Sequence, residues 1–279
     1  MMAMDESAPV LLEVDERGVA TLTLNRPLKR NAFDEELISD LTDHFRTLRG
    51  DDDIRVVLLR GAGESFCAGA DIEWMKRQGA RDREDNEADA LAMAHMYKGL
   101  FDLPQLTIAL VHGAAMGGGA GLVAACDVAV AVTGAKFRFS EVRLGLIPAT
   151  ISPFVVNAIG PRWATALFMT AEGFDAAFAE KIGLIQYEVA DAQELEATAM
   201  HLAQLALQAA PGAVADAKRL VRLVVDNAAR PRITDVGNHV IDEHLLKETA
   251  KRIAARRASN EGREGLAAFL EKRKPEWDR

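Results

Sequence analysis

From residue 11 to about residue 190, short apolar runs rich in β-branched residues alternate with stretches whose apolar residues recur at helical spacing. No other feature constrains the fold as much: it calls for a sheet covered by helices, an α/β architecture. Leu11 to Val14 and Val19 to Leu24 flank a turn containing Gly18 and predict a hairpin. Asp34 is the expected cap of a helix in which Glu35 and Glu36 suit the positive end, Leu37, Leu41, Phe45 and Leu48 share one face, and Gly50 is the stop. Ile54 to Leu59 predicts a buried strand. The cycle repeats with a helix over Asn86 to Leu100 and strands over Leu106 to Val111 and Val128 to Val132. After Asp191 the strands stop. Val214, Ala217, Leu220, Val221 and Val224 keep helical spacing, and helices are expected almost to Pro275. The polar run 76–90 predicts a solvated, mobile loop, or a lid if it folds over a site.

Composition narrows the function classes. With 49% hydrophobic residues in 279, the chain can bury a large core. A net charge of −9 argues against non-specific nucleic-acid binding, which needs basic surface. No apolar run approaches the ~20 residues of a membrane span. The opening MMAMDESAPV lacks the basic and apolar regions of a secretory signal. A soluble, cytoplasmic protein is the expectation. Cys67 and Cys126, the only cysteines, read as reduced thiols. His44, His95, His112, His201, His239 and His244 form no ligand spacing, so no metal site is expected. The run GGGAG at 117–121 lacks the later acidic residue of a dinucleotide site, because Asp127 comes too soon.

Two loops carry the chemistry. The first, Gly61 to Asp71, follows a strand and precedes a helix-like stretch at Ile72 to Met75, with Asp71 as a good cap and small residues at Ala68, Gly69 and Ala70. The second, His112 to Gly121, follows the strand ending at Val111 and leads into Leu122 to Ala125. Each alone could be a tight turn. Together they can place two backbone N–H donors around one carbonyl oxygen, and each such donor contributes about 3 to 4 kcal/mol to a transition state.

The loop AGADI, the run MGGGAGL followed by ACD, and SEVRLGLIPA resemble, in order and spacing, the crotonase (enoyl-CoA hydratase/isomerase) family. LNRP at 24–27 and FLEKRKPEW at 269–277 extend the resemblance over essentially the whole chain. It implies a spiral of repeated β-β-α units over residues 1–200 and an all-helical trimerisation module over 201–279, assembled as a trimer or dimer of trimers. It also implies an acyl-coenzyme A thioester as substrate, with no cofactor beyond that coenzyme A. By motif position, the oxyanion donors would be the N–H groups of Ala70 and Gly118. Ala68 would lie beside the adenine with Asp71 close by, and Lys29, Arg30 and Lys272 are the candidates for contact with coenzyme A. Ordinary solvated charge is the alternative for the three bases.

The two-carboxylate hydratases of that family carry one Glu just after the glycine run and a second twenty residues on. Here the first position is Gly121, and only the second, Glu141, keeps its carboxylate. Glu141 is the only acidic residue between Asp127 and Glu172 and stands among apolar side chains, where desolvation raises a carboxyl pKa and suits it to proton transfer. The alternative is a structural Glu paired with Arg138 or Arg143. Gly121, Ile72, Met75, Pro148 and Arg143 are expected around the acyl group.

The expected reaction is hydration of an α,β-unsaturated acyl-CoA. One Glu also suits a Δ3-Δ2 isomerase, and the absence of a carboxylate at Gly121 leaves room for a non-catalytic acyl-CoA-binding homologue. SEVRLGLIPATISPFV and WMKR resemble the bacterial branch acting on methylglutaconyl-CoA or isohexenylglutaconyl-CoA, in leucine and terpene breakdown. A second substrate carboxylate would want a cation, for which Arg143, Lys76 and Arg77 are the candidates.

Overall fold

The structure, a computed structural model, describes residues 8–229 and 241–278. His239 falls outside the described residues. The chain divides into two compact units between Ala203 and Gln204.

The first unit is built on a six-stranded sheet of order β1-β2-β3-β4-β6-β9. The hairpin β1 (Val10–Val14) and β2 (Val19–Leu24) is antiparallel. β2, β3 (Val56–Gly61), β4 (Leu106–Val111), β6 (Val128–Val132) and β9 (Tyr187–Val189) then run parallel. Val56 to Leu59 and Thr107 to Val111 are buried throughout. Strands covered on both faces read as continuous apolar runs, which is why composition rather than alternation marks them in the sequence. A small second sheet, β5 (Ala114–Met116), β7 (Lys136–Arg138) and β8 (Gly173–Asp175), lies beside the site.

Helix α1 (Glu35–Arg49) is capped by Asp34, whose carboxylate accepts the Leu37 N–H, and buries Leu37, Ile38, Leu41, Phe45 and Leu48. The expected loop over 76–90 is not there. Helix α2 (Ile72–Gly79) runs into that segment and α3 (Arg83–Phe101) begins within it, leaving only residues 80–82 between helices. The polar composition is that of an exposed helical face rather than a loop. Asp82 caps α3 through the Asp85 N–H, and Arg81 pairs with Asp89 across the first turns. Helix α4 (Gly118–Ala125) is buried from Gly119 onward and packs between α3 and α5 (Ser152–Thr170). Helices α6 (Ala176–Lys181) and α7 (Ala192–Leu207) follow.

The second unit holds α8 (Pro211–Ala229), α9 (Glu243–Ala258) and α10 (Asn260–Glu271). Arg256 ties it internally, reaching Asp216 at 3.0 Å and Glu261 at 2.6 Å. Trp277 donates its indole N–H to the Gln208 carbonyl at 3.1 Å.

Candidate functional site

Because β3 and β4 are parallel neighbours, with Leu59 opposite Ala109, the loops that follow them leave the same edge of the sheet. Open α/β sheets bind ligands at this carboxyl edge. One isolated bridge draws the two loops together. Cys67 pairs with Ala115, its N–H donating to the Ala114 carbonyl and its carbonyl accepting from the Met116 N–H, each at 2.9 Å. Ala70 and Gly118 each lie three residues beyond this parallel pair.

The first loop is also held from the segment 26–33. Asn31 is fully buried, and its side-chain amide donates to the carbonyls of Ala62, Ser65 and Phe66 while its oxygen accepts the Arg26 N–H. Phe33 donates its N–H to the Gly69 carbonyl at 2.7 Å and accepts the Asp71 N–H at 2.8 Å. That pattern brackets Ala70 and turns its N–H away from Phe33. In the second loop Gly117 has φ +49°, a conformation that favours glycine, and its N–H donates to the Arg138 carbonyl at 2.8 Å. Helix α4 starts at the next residue. Neither the Ala70 nor the Gly118 N–H donates to a protein acceptor among the described residues. At Gly118 the donor stands in the first turn of a helix, where N–H groups have no intrahelical partner and the dipole favours negative charge.

Glu141 opens a 3-10 turn, Glu141–Leu144, three residues after β7, the strand whose last carbonyl anchors Gly117. One carboxylate oxygen lies against Gly117, 3.2 Å from where a Cβ would stand there, and the other is buried with no hydrogen-bond partner among the described residues. It forms no ion pair with Arg138 or Arg143. Desolvation therefore raises its pKa above the usual carboxylate value, against a smaller opposing effect of its own backbone N–H. The geometry juxtaposes two unused N–H groups with an unpaired, desolvated carboxyl, a combination able to stabilise an enolate oxygen and move a proton beside it.

Gly121 shows why no second carboxylate is present. A Cβ at this position would stand 2.3 Å from Ile151 Cγ2 and 3.2 Å from the Tyr97 ring. Tyr97 is fully buried, packs on Phe33 and Phe154 at centroid distances of 6.2 and 5.8 Å, and donates its hydroxyl to the Gly118 carbonyl at 2.9 Å. Burial, followed by the nearby Cys67 and Glu141, pushes its pKa well above the ordinary value, so it stays neutral. Sequence reasoning missed Tyr97, Ile151, Arg26 and Asn31. The buried face of α3 gave no local sign of Tyr97's contact, and Ile151 meets Gly121 only through packing. We expect Gly121→Glu to lower the melting temperature rather than restore a carboxylate pair. Overpacking alone costs about 1–3 kcal/mol, and each kcal/mol shifts Tm by about 2–4 °C in a chain of this size. An unchanged Tm by calorimetry would show that Ile151 yields its space.

The other expected site residues are placed as follows. Ala68 donates its N–H to the Arg30 carbonyl at 2.9 Å, which fixes it beside the 29–30 turn. Lys29 is exposed but bound to Asp71 at 2.8 Å, and Arg30 is exposed in the left-handed region at φ +51°. Asp71 has partners within the protein. Its carboxylate caps α2 through the Glu73 and Trp74 N–H groups and pairs with Lys29, with Arg26 at 3.5 Å. The Lys29 hydrogen bond, with help from the two cap N–H groups, holds its pKa down at about 2. Lys76 and Arg77 need correcting as pocket cations. They lie on the outer face of α2, paired with Glu73 and Glu35. Arg143 and Ile72 are exposed, Met75 is half-buried and Pro148 is buried. Lys272 caps α10 in the left-handed region at φ +53°, in the second unit. Burial pushes the Cys67 thiol up to about 12, so it is inert. A cleft of about 560 Å³ near β7 and β8 is lined by Met116, Arg138, Phe174 and neighbouring residues, and not by Ala70, Gly118 or Glu141. No metal-binding group of side chains occurs among the described residues.

The element order, the sheet and the paired glycine loops define a crotonase fold. An enoyl-CoA hydratase of Shewanella pealeana superposes with a TM-score of 0.90 at 39% identity, covering 98% of this chain and 97% of that one. The 1,2-epoxyphenylacetyl-CoA isomerase of Escherichia coli is 33% identical over 94% of this chain and 95% of its own length. The enoyl-CoA hydratase ACTT6 of Alternaria alternata is 34% identical over 75% of this chain and 68% of its own. The profile of the enoyl-CoA hydratase/isomerase family matches residues 15–279, and the chain belongs to that family.

Proposed function

We propose that the protein is an enoyl-CoA hydratase in which the N–H groups of Ala70 and Gly118 bind the thioester oxygen and Glu141 moves the proton. The observation that most supports this reading is the Glu141 carboxyl, buried without a partner against the glycine run that begins α4. Water adds its oxygen to C3. The π pair of the double bond moves into the enolate, whose charge falls on the thioester oxygen. Glu141 accepts the proton that water loses and delivers it to C2 as the carbonyl re-forms, so the carboxylate is regenerated. With Ile151 and Tyr97 packed at Gly121, this single carboxylate serves both transfers. Lys29 and Arg30 would meet the phosphates of coenzyme A, and Ala68 its adenine. A glutaconyl-type acyl group and a trimeric or hexameric assembly in the cytoplasm complete the proposal, on the strength of the sequence resemblance.

Isomerisation is the second reading. The lone carboxylate favours it, since moving a proton from C2 to C4 needs one base. Turnover of crotonyl-CoA, 3-methylglutaconyl-CoA and a 3-enoyl-CoA decides between them through the ultraviolet absorbance of the conjugated thioester. The expected result is a falling signal with the first two. A rising signal with the third alone would replace the hydratase reading by the isomerase, and binding of the esters without any change would make the protein a non-catalytic binder.

A further inference from the structure

The small sheet carries a row of side chains that the candidate catalytic groups do not use. In its register Met116 stands opposite Arg138 and Arg138 opposite Gly173, while Lys136 stands opposite Asp175. Directly opposite residues share a face, and alternate residues along a strand return to it. The cleft of about 560 Å³ lies along this row. That is a volume within the roughly 300–1,000 Å³ of small-molecule sites. Arg138 enters the cleft with its charge unmatched. A Cβ on Gly173 would stand 2.8 Å from Arg138 Nη2, 3.2 Å from Nε and 3.3 Å from Cζ, so the guanidinium is laid across the glycine. Its Nε is buried without a hydrogen-bond partner, and among the described residues the side chain makes no ion pair or hydrogen bond. Its terminal nitrogens are not among the buried atoms, so they stay open to the cleft. Glu172 and Asp175 line the same cleft, yet neither pairs with Arg138. Asp175 is engaged at the start of α6, where it accepts the Phe178 N–H at 3.0 Å. A partly desolvated cation is ordinarily matched by an acceptor, because desolvation without one costs free energy.

We propose that this cleft is a binding site for a small organic acid, whose carboxylate pairs with Arg138 and whose apolar body lies against Met116 and Phe178. The site is separate from Ala70, Gly118 and Glu141, none of which lines the cleft, and it does not depend on the acyl-CoA reading. The planar fork of a guanidinium matches the two oxygens of a carboxylate. Phe178 is half-buried and is backed edge-on by Trp163 and Phe174, at centroid distances of 5.2 and 5.7 Å, which fixes it as an apolar wall. Charge selects the class of anion. Lys136 and Arg138 are balanced by Glu172 and Asp175, so the cleft accommodates a single negative charge at Arg138, whereas a phosphate dianion would meet two carboxylates.

The test is calorimetric titration of the full chain with hexanoate, its neutral counterpart hexanamide, and inorganic phosphate. Hexanoate is expected to bind about tenfold or more tightly than either of the others, the usual scale of a charge-assisted hydrogen bond. In Arg138→Gln the preference for hexanoate over hexanamide should fall by about the same factor. That substitution keeps the Arg138 main-chain carbonyl, which accepts the Gly117 N–H, so the loop before α4 retains its anchor. Gly173→Ala keeps the cation and displaces it, because the added methyl takes the position 2.8 Å from Nη2, and it should reduce the same ratio. Gly173 is exposed and its φ is not in the left-handed region, so this variant is expected to fold even if Arg138→Gln does not. Hexanoate bound no more tightly than hexanamide, or a ratio unmoved in either folded variant, overturns the site, and the second result would place the acid elsewhere on the protein. Tighter binding of phosphate overturns the assignment to a carboxylate. No binding of hexanoate overturns the proposal as well, and is the result expected if an acidic side chain of a second copy of the chain already fills the cleft.

Discussion

Glu141→Gln is expected to lower kcat by about 10²- to 10⁴-fold, the usual contribution of a positioned general acid–base group, with little change in binding of the thioester. Glutamine has the same shape, so it fits against Gly117 as the glutamate does. The change removes a charge that burial disfavours, and the stability effect should therefore run opposite to the activity effect. The sign follows from linkage. Glu141 has a folded pKa above its unfolded value, so the native state holds its proton more tightly than the unfolded chain does. Stability falls as pH rises from the ordinary carboxylate pKa through the raised one, and the loss is complete above it. At neutral pH the variant should melt at the same temperature as the wild type or higher. The same shift places the acid limb of the wild-type kcat/KM profile above the pH at which a solvated glutamate titrates, since Glu141 must start as the carboxylate. Full turnover by a folded Glu141→Gln protein would remove Glu141 from the mechanism.

Ala70→Pro is expected to lower kcat by about 10²- to 10³-fold, the effect of deleting one oxyanion donor. Proline has no N–H to give. The bonds that hold the loop run from Phe33 to the Gly69 carbonyl and from the Asp71 N–H to Phe33, and neither uses the Ala70 N–H. Far-ultraviolet circular dichroism and Tm should therefore stay close to wild type. Ala70→Gly, which keeps the donor, is the control and should lose far less. Gly118 is the poorer place for this test. A Cβ there would stand 2.8 Å from the Tyr97 hydroxyl and 2.9 Å from Phe33, so a slow Gly118 variant could reflect displaced packing. A rate for Ala70→Pro within threefold of wild type, with the fold intact, would mean that this N–H does not meet the developing charge.

The sequence alone determined the alternation of buried strands and helices, the caps at Asp34 and Asp71, and the two small-residue loops. These are local properties: apolar period, a short polar side chain before a helix, and residues small enough for close approach of the backbone. The absent carboxylate at Gly121 and the isolated Glu141 could also be read directly from residue identity. Local pattern failed where a polar run served as the outer face of two helices, as over residues 76–90, because exposed helix and solvated loop share a composition. It failed again for Lys76 and Arg77, whose partners are set by helix rotation and by segments distant in sequence. Only the tertiary structure decided that the bridge between Cys67 and Ala115 sets the two loops side by side, that Asn31 and Phe33 brace the first of them, and that Ile151 and Tyr97 fill the space at Gly121. The physical reason is common to all three. Each depends on which non-local atoms meet in a close-packed interior, where one methyl group determines whether a carboxylate has room.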